Sequence, residues 1–142
     1  MDLNFSEKFI VFGLRTFSEF LQGFNYHIHS VTYLERDGDH IQFKSNLKRQ
    51  EIIIAFSLRG DALYLDLVFN RNPVLFKQMH FALSDVIEHF VKPRDGLSLE
   101  LTEDNILDRM ELCLSVIKKN LVPVLKGNEW IDEILERVKQ DK

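Results

Sequence analysis

The chain has 142 residues, 45 % of them hydrophobic, which suits one globular domain with one core spanning residues 1–142. Its net charge of -4 lacks the basic excess of a nucleic-acid binder, and the single cysteine, Cys113, excludes an intrachain disulfide or a paired-cysteine zinc motif. MDLNFSEKF has no basic segment leading into an apolar run, and no apolar stretch nears the roughly 18–20 residues that span a bilayer, so a cytoplasmic location and no membrane contact are expected.

The first element is a helix ending near residue 22. Ser6 is its expected N-cap, Glu7 sits where the helix dipole favours an anion, and Phe5 can staple onto Ile10. Phe9, Ile10, Leu14, Phe17, Phe20 and Leu21 form its apolar face, and Gly23 supplies a left-handed stop.

From Asn25 to Asn70 the period changes from helical to alternating. RDGD (36–39) and RGDA (59–62) are hairpin signals, and the strands expected around them cover about 26–35, 40–45, 50–58 and 62–69. Short turns between consecutive strands make an antiparallel meander. Leu63, Leu65, Leu67 and Phe69 share one face with Ile52, Ile54, Phe56 and Leu58. Ile53, Ala55, Tyr64, Asp66 and Val68 point the other way. The third strand is thus apolar on both faces, which marks it as central and its second face as covered by a helix or a partner.

A helical pattern returns at Leu75, Phe76, Met79, Leu83, Val86, Ile87 and Phe90, closed by Pro93. RDGLSLEL reads as loop with a short extended piece. Thr102 is the expected cap of a long helix striped by Ile106, Met110, Cys113, Leu114, Ile117 and Leu121, broken at Pro123 and ended by Gly127. Asn128 then caps a last helix carrying Trp130, Ile131, Ile134, Leu135 and Val138, with Trp130 expected in the crevice beside the Pro123 break. The expected class is α+β: an N-terminal helix, a four-stranded antiparallel meander and three C-terminal helices.

Chemistry is sparse. His27 and His29 form an H-x-H pair facing His40 across a turn, so the three can be drawn as ligands of zinc or nickel, although half-exposed strand histidines are the commoner outcome and no metal is assigned. No nucleophile elbow, phosphate loop or zinc-protease motif is present, so no catalytic residue and no cofactor are expected. Cys113 lies on an apolar helical stripe, where a free thiol behaves as a small hydrophobe. KSNLKRQ (44–50) is basic but lacks the interleaved aromatics of a single-stranded nucleic-acid platform. Charge is the more informative feature. Residues 95–111 hold six acids, Asp95, Glu100, Glu103, Asp104, Asp108 and Glu111, against Arg109 alone. The helix dipole accounts for Glu103 and Asp104 in an expected first turn but fades before Asp108 and Glu111, which sit at like-charge helical spacing.

FLQGFNYHI, the hairpin YLERDGDHIQFKS followed by RQEIIIAF, and the closing LVPVLKGNEW together resemble small bacterial α+β proteins that include immunity proteins of toxin systems. The resemblance covers nearly the whole chain as a pattern of elements. It implies a single-domain inhibitor or adaptor that works by presenting a surface, and the acidic segment adds the expectation of a basic partner such as a nuclease toxin. The partner-binding residues expected on that reading are Asp104, Asp108 and Glu111, or else the outer sheet residues Ile53, Tyr64 and Val68. Homodimerisation through the sheet is compatible with it. The alternative is a small enzyme or a ligand- or metal-binding protein using the His27, His29 and His40 face.

Overall fold

The computed structural model describes residues 4–32, 40–45, 50–59, 62–71, 80–83 and 99–140. The chain is α+β. An N-terminal helix α1 (Phe5–Gln22) leads into antiparallel strands β1 (Tyr26–Thr32), β2 (His40–Ser45), β3 (Gln50–Arg59) and β4 (Ala62–Arg71), the expected meander. Two short strands complete the sheet: β5 (His80–Ala82) pairs with the end of β4 at Val68–Asn70, and β6 (Glu100–Leu101) pairs with its start at Leu63 and Tyr64. Helices α2 (Ile106–Asn120), α3 (Val122–Lys126) and α4 (Ile131–Gln140) follow.

Within the helix expected from Leu75 onward, His80–Ala82 instead extend the sheet, with Leu83 helical after them. An apolar run beside an unpaired strand edge gains a ladder of backbone hydrogen bonds that periodicity alone does not foresee. The rest of that expected helix, at 75–79 and from 84 onward, most of RDGLSLEL, the RDGD turn and most of KSNLKRQ lie outside the described residues.

Local chemistry explains the helix ends. Asn4, not Ser6, caps α1: its side-chain oxygen accepts from the Glu7 N–H at 2.8 Å, and its amide donates to Glu7 Oε1 at 3.1 Å. Gly23 stays right-handed, and the left-handed residue is Asn25, with φ 68°. Asn105 rather than Thr102 precedes α2, its side-chain oxygen accepting from the Thr102 N–H at 2.8 Å. The chain does break at Pro123, which falls in the first turn of α3, where its missing N–H costs nothing. Gly127 closes α3 at φ 80°, and α4 starts three residues beyond Asn128.

Phe9, Gly13, Phe17 and Leu21, one i+4 row of α1, are buried against the sheet. Phe5 and Phe9 both stand edge-on to Phe56, at 5.1 and 4.8 Å between centroids. Gly13 sits at the closest approach, because a Cβ there would lie 2.6 Å from Ile41 Cδ1 and 3.5 Å from Met110 Cε. Helix α1 is thus wedged between β2 and α2. The core includes Ile52, Ile54 and Phe56 of β3 and Leu65, Leu67 and Phe69 of β4, with Leu63 partly buried against it, together with Ile41, Phe43, Met110, Cys113 and Ile117. Among the described residues no helix is long and apolar enough to cross a membrane.

Candidate interaction surfaces

The histidines do not converge. Register shifts between Ile28 and Ser30, so His29 is a bulge residue while His27 pairs with Lys44 and His40 pairs with Thr32. The bulge interrupts the pairing of the strand at His29, and the rings of His27 and His29 lie edge-on 6.5 Å apart, both exposed. Thr32 is five residues along β1 from His27, so His40 lies on the order of 16 Å away. Among the described residues no three His, Cys, Asp or Glu side chains are grouped to share a metal ion.

The acidic residues lie at and just inside the entrance to α2. Asp104 lies in the turn before α2, Asp108 in its first turn and Glu111 in the next, and all three are exposed. Because α2 begins at Ile106, the helix dipole reaches Asp108 after all, and only Asp108 and Glu111 keep a like-charge spacing within the helix. Glu103 has a loose partner, Lys8 at 3.7 Å. Asp104, Asp108 and Glu111 have no cation within salt-bridge distance among the described residues. Glu111 also edges an open groove of about 530 Å³ between α1 and α2, lined as well by Arg15, Leu107, Leu114 and Lys118.

On the sheet face opposite α1, Ile53 and Val68 are direct cross-strand partners, and Tyr64 stands four residues along β4 on the same side. All three are half-buried. Beside them runs a polar ladder across four strands. Ser30 Oγ donates to Gln42 Oε1 at 3.1 Å, Gln42 Nε2 donates to Glu51 Oε2 at 2.6 Å, and Asn70 Nδ2 donates to Glu51 Oε1 at 3.0 Å. Asp66, opposite Ala55, is half-buried too. Because α2 packs on α1, the acidic residues and the Ile53–Val68 pair lie on opposite sides of the sheet.

Cys113 is buried, and desolvation, aided by the charge of Asp66 and opposed by Arg109, pushes its thiol up to about 12. It is a core residue whose burial disfavours the thiolate, the nucleophilic form.

One polar cluster escaped sequence reasoning. Gln50 is 6 % exposed, and its amide nitrogen donates to the Tyr26 hydroxyl and to the Val124 carbonyl, both at 3.0 Å. Its oxygen accepts from Arg71 Nε at 3.1 Å and Nη2 at 2.7 Å. The Arg71 guanidinium lies 4.3 Å from the Trp130 ring centre and reaches the Glu129 carbonyl at 3.4 Å. Trp130 is buried here, edge-on to Phe81 at 6.0 Å. Burial pushes the Tyr26 phenol up, with Gln50 and Arg71 pulling it partly back. The cluster bolts one end of the sheet to α3 and to the approach to α4. A signal for part of it existed, since counting back from RGDA places Gln50 opposite Arg71.

The sequence matches no protein-family model, and comparison with curated proteins and with solved structures gives no match either.

Proposed function

We propose that this chain is a cytosolic protein-interaction module that captures a basic partner protein through Asp104, Asp108 and Glu111, in the manner of an inhibitor or immunity protein. The observation that carries the reading is three neighbouring carboxylates, exposed and, among the described residues, without a cationic partner. Unpaired exposed charge adds little to a monomer's stability but accelerates encounter with an opposite charge. A few buried contacts then set the lifetime of the complex.

The test is capture of the partner from the native host, followed by association kinetics of wild type and an Asp108→Lys, Glu111→Lys variant. The variant should fold normally. Losing a first-turn acid costs about 0.3–1 kcal/mol, and relieving the Asp108–Glu111 repulsion returns a few tenths. Association should slow roughly tenfold at low salt, and the difference should shrink as salt rises. An on-rate that neither the reversals nor salt alters would refute the acidic surface and shift attention to Ile53, Tyr64 and Val68.

A further inference from the structure

Strand β1 forms one end of the strand order, with β2 on one side and no described strand on the other. An edge of this kind offers unpaired backbone donors and acceptors, and edges are commonly blunted by lysine, proline or very short length. Here the strand is seven residues long, YHIHSVT, with no lysine, arginine, acid or proline. It also carries two large apolar side chains in the open, Ile28 and Val31, each 42 % exposed. Both face the core side of the sheet, since Ile28 pairs with Phe43 and Val31 with Ile41. Only the bulge makes this so, because without an extra residue side chains three apart would point to opposite faces.

We propose that the β1 edge binds a second copy of this chain, antiparallel, about a twofold axis between His29 and Ser30. The pattern of the strand itself is complementary to a second copy. In that register Ile28 meets Val31 of the other copy, and Val31 meets its Ile28, closing a four-residue apolar cluster that extends the core layer across the axis. His27 meets Thr32, both on the face that their β2 partners Lys44 and His40 share, His29 and Ser30 flank the axis, and no like charges are juxtaposed. The two bulges lie opposite each other and add equal twist. The contact is small, one strand and two apolar pairs, which places the dimer among weak, concentration-dependent associations.

Analytical ultracentrifugation of the full chain over a wide concentration range tests this. A reversible monomer–dimer equilibrium is expected. Val31→Lys, on an exposed edge, should weaken it by roughly tenfold or more because both symmetric pairs are lost, with circular dichroism and melting unchanged. Val11→Lys, which alters an apolar residue 44 % exposed on α1, should leave it intact. An Ile28→Cys, Val31→Cys variant should oxidise to a covalent dimer joined between positions 28 and 31. A chain monomeric up to millimolar concentration overturns the proposal, as does a dimer that resists Val31→Lys or yields to Val11→Lys. A dimer that does not cross-link as stated overturns the register.

Discussion

Replacing Gln50 with leucine keeps the shape of the side chain and removes every polar contact it makes. Its effect can be worked through group by group. The Tyr26 hydroxyl, on a residue 2 % exposed, loses its bond from Gln50, and a buried polar group left in that state costs about 1–3 kcal/mol. The Val124 carbonyl loses little, because it still accepts from the Gly127 N–H at 3.0 Å. Arg71 is half-buried and keeps the Glu129 carbonyl and the Trp130 face, so its loss is discounted to about 1 kcal/mol. Burying leucine instead of an amide offsets about 1 kcal/mol. The net expectation is a destabilisation of roughly 1–3 kcal/mol.

Urea denaturation read through Trp130, the single tryptophan and itself in the cluster, measures this directly. The sharper test is the double variant. Tyr26→Phe removes the stranded hydroxyl, so adding it to Gln50→Leu should recover about 1 kcal/mol, whereas added to wild type it should cost stability. In Gln50→Leu alone the Tyr26 phenol should titrate still higher, having lost a group that pulls it down. Strictly additive losses from the two substitutions, or a Gln50→Leu loss below about 0.5 kcal/mol, would refute the account of the cluster as a coupled network.

Alkaline stability should report on Cys113. Its thiol keeps its proton in the fold to about 12 and loses it near the ordinary 9.0 once unfolded, so stability present below pH 9 should fall as pH rises toward 12, by at most about 4 kcal/mol. A Cys113→Ala variant should show a shallower decline over that interval, and parallel curves would refute the assignment. Gly13→Ala should cost about 1–3 kcal/mol, because the new methyl would lie 2.6 Å from Ile41 Cδ1, and Ile41→Val, which deletes that atom, should restore part of the loss in the double variant. Stabilisation by Gly13→Ala, measured by thermal melting, would contradict the close packing of α1 on β2.

Periodicity made the meander legible because β2, β3 and β4 alternate buried with half-buried side chains, which fixes register. It located Leu65, Leu67, Phe69, Ile52, Ile54 and Phe56 in the core, and all are there. It misplaced caps by a few residues, since Asn4 and Asn105 compete on equal terms with Ser6 and Thr102 and only the folded backbone decides between them. It read the first strand as regular, with His40 opposite the His27–His29 pair, because a bulge leaves no mark in the alternation of YHIHSVT and His40 in fact pairs with Thr32. It passed over Gly13, whose value is the space it leaves for Ile41. The Gln50 cluster was half legible, in the pairing with Arg71. Its other half, Val124 and Trp130, arrives from far along the chain, where no spacing rule connects them.

The same register accounts for which surfaces retain free chemistry. The helices stand on the core side: α1 against Phe56 and Ile41, α2 against α1, and the α3 region through Val124 on Gln50. On the opposite face the polar groups of Ser30, Gln42, Glu51 and Asn70 bond one another, so that end of the face holds few donors or acceptors in reserve for a partner. Ile53, Val68 and Tyr64 lie beside this ladder, half-buried, and present limited apolar area. The carboxylates of the α2 entrance and the edge of β1 differ from them in being both accessible and unspent. They also sit on separate elements and act through different physics, long-range charge in one case and contact pairing in the other. Substitutions at Asp108 and Glu111 should therefore leave self-association unchanged, and substitution at Val31 should leave the salt dependence of partner capture unchanged. Raising salt separates the two further, because it screens the carboxylates while an apolar strand contact persists.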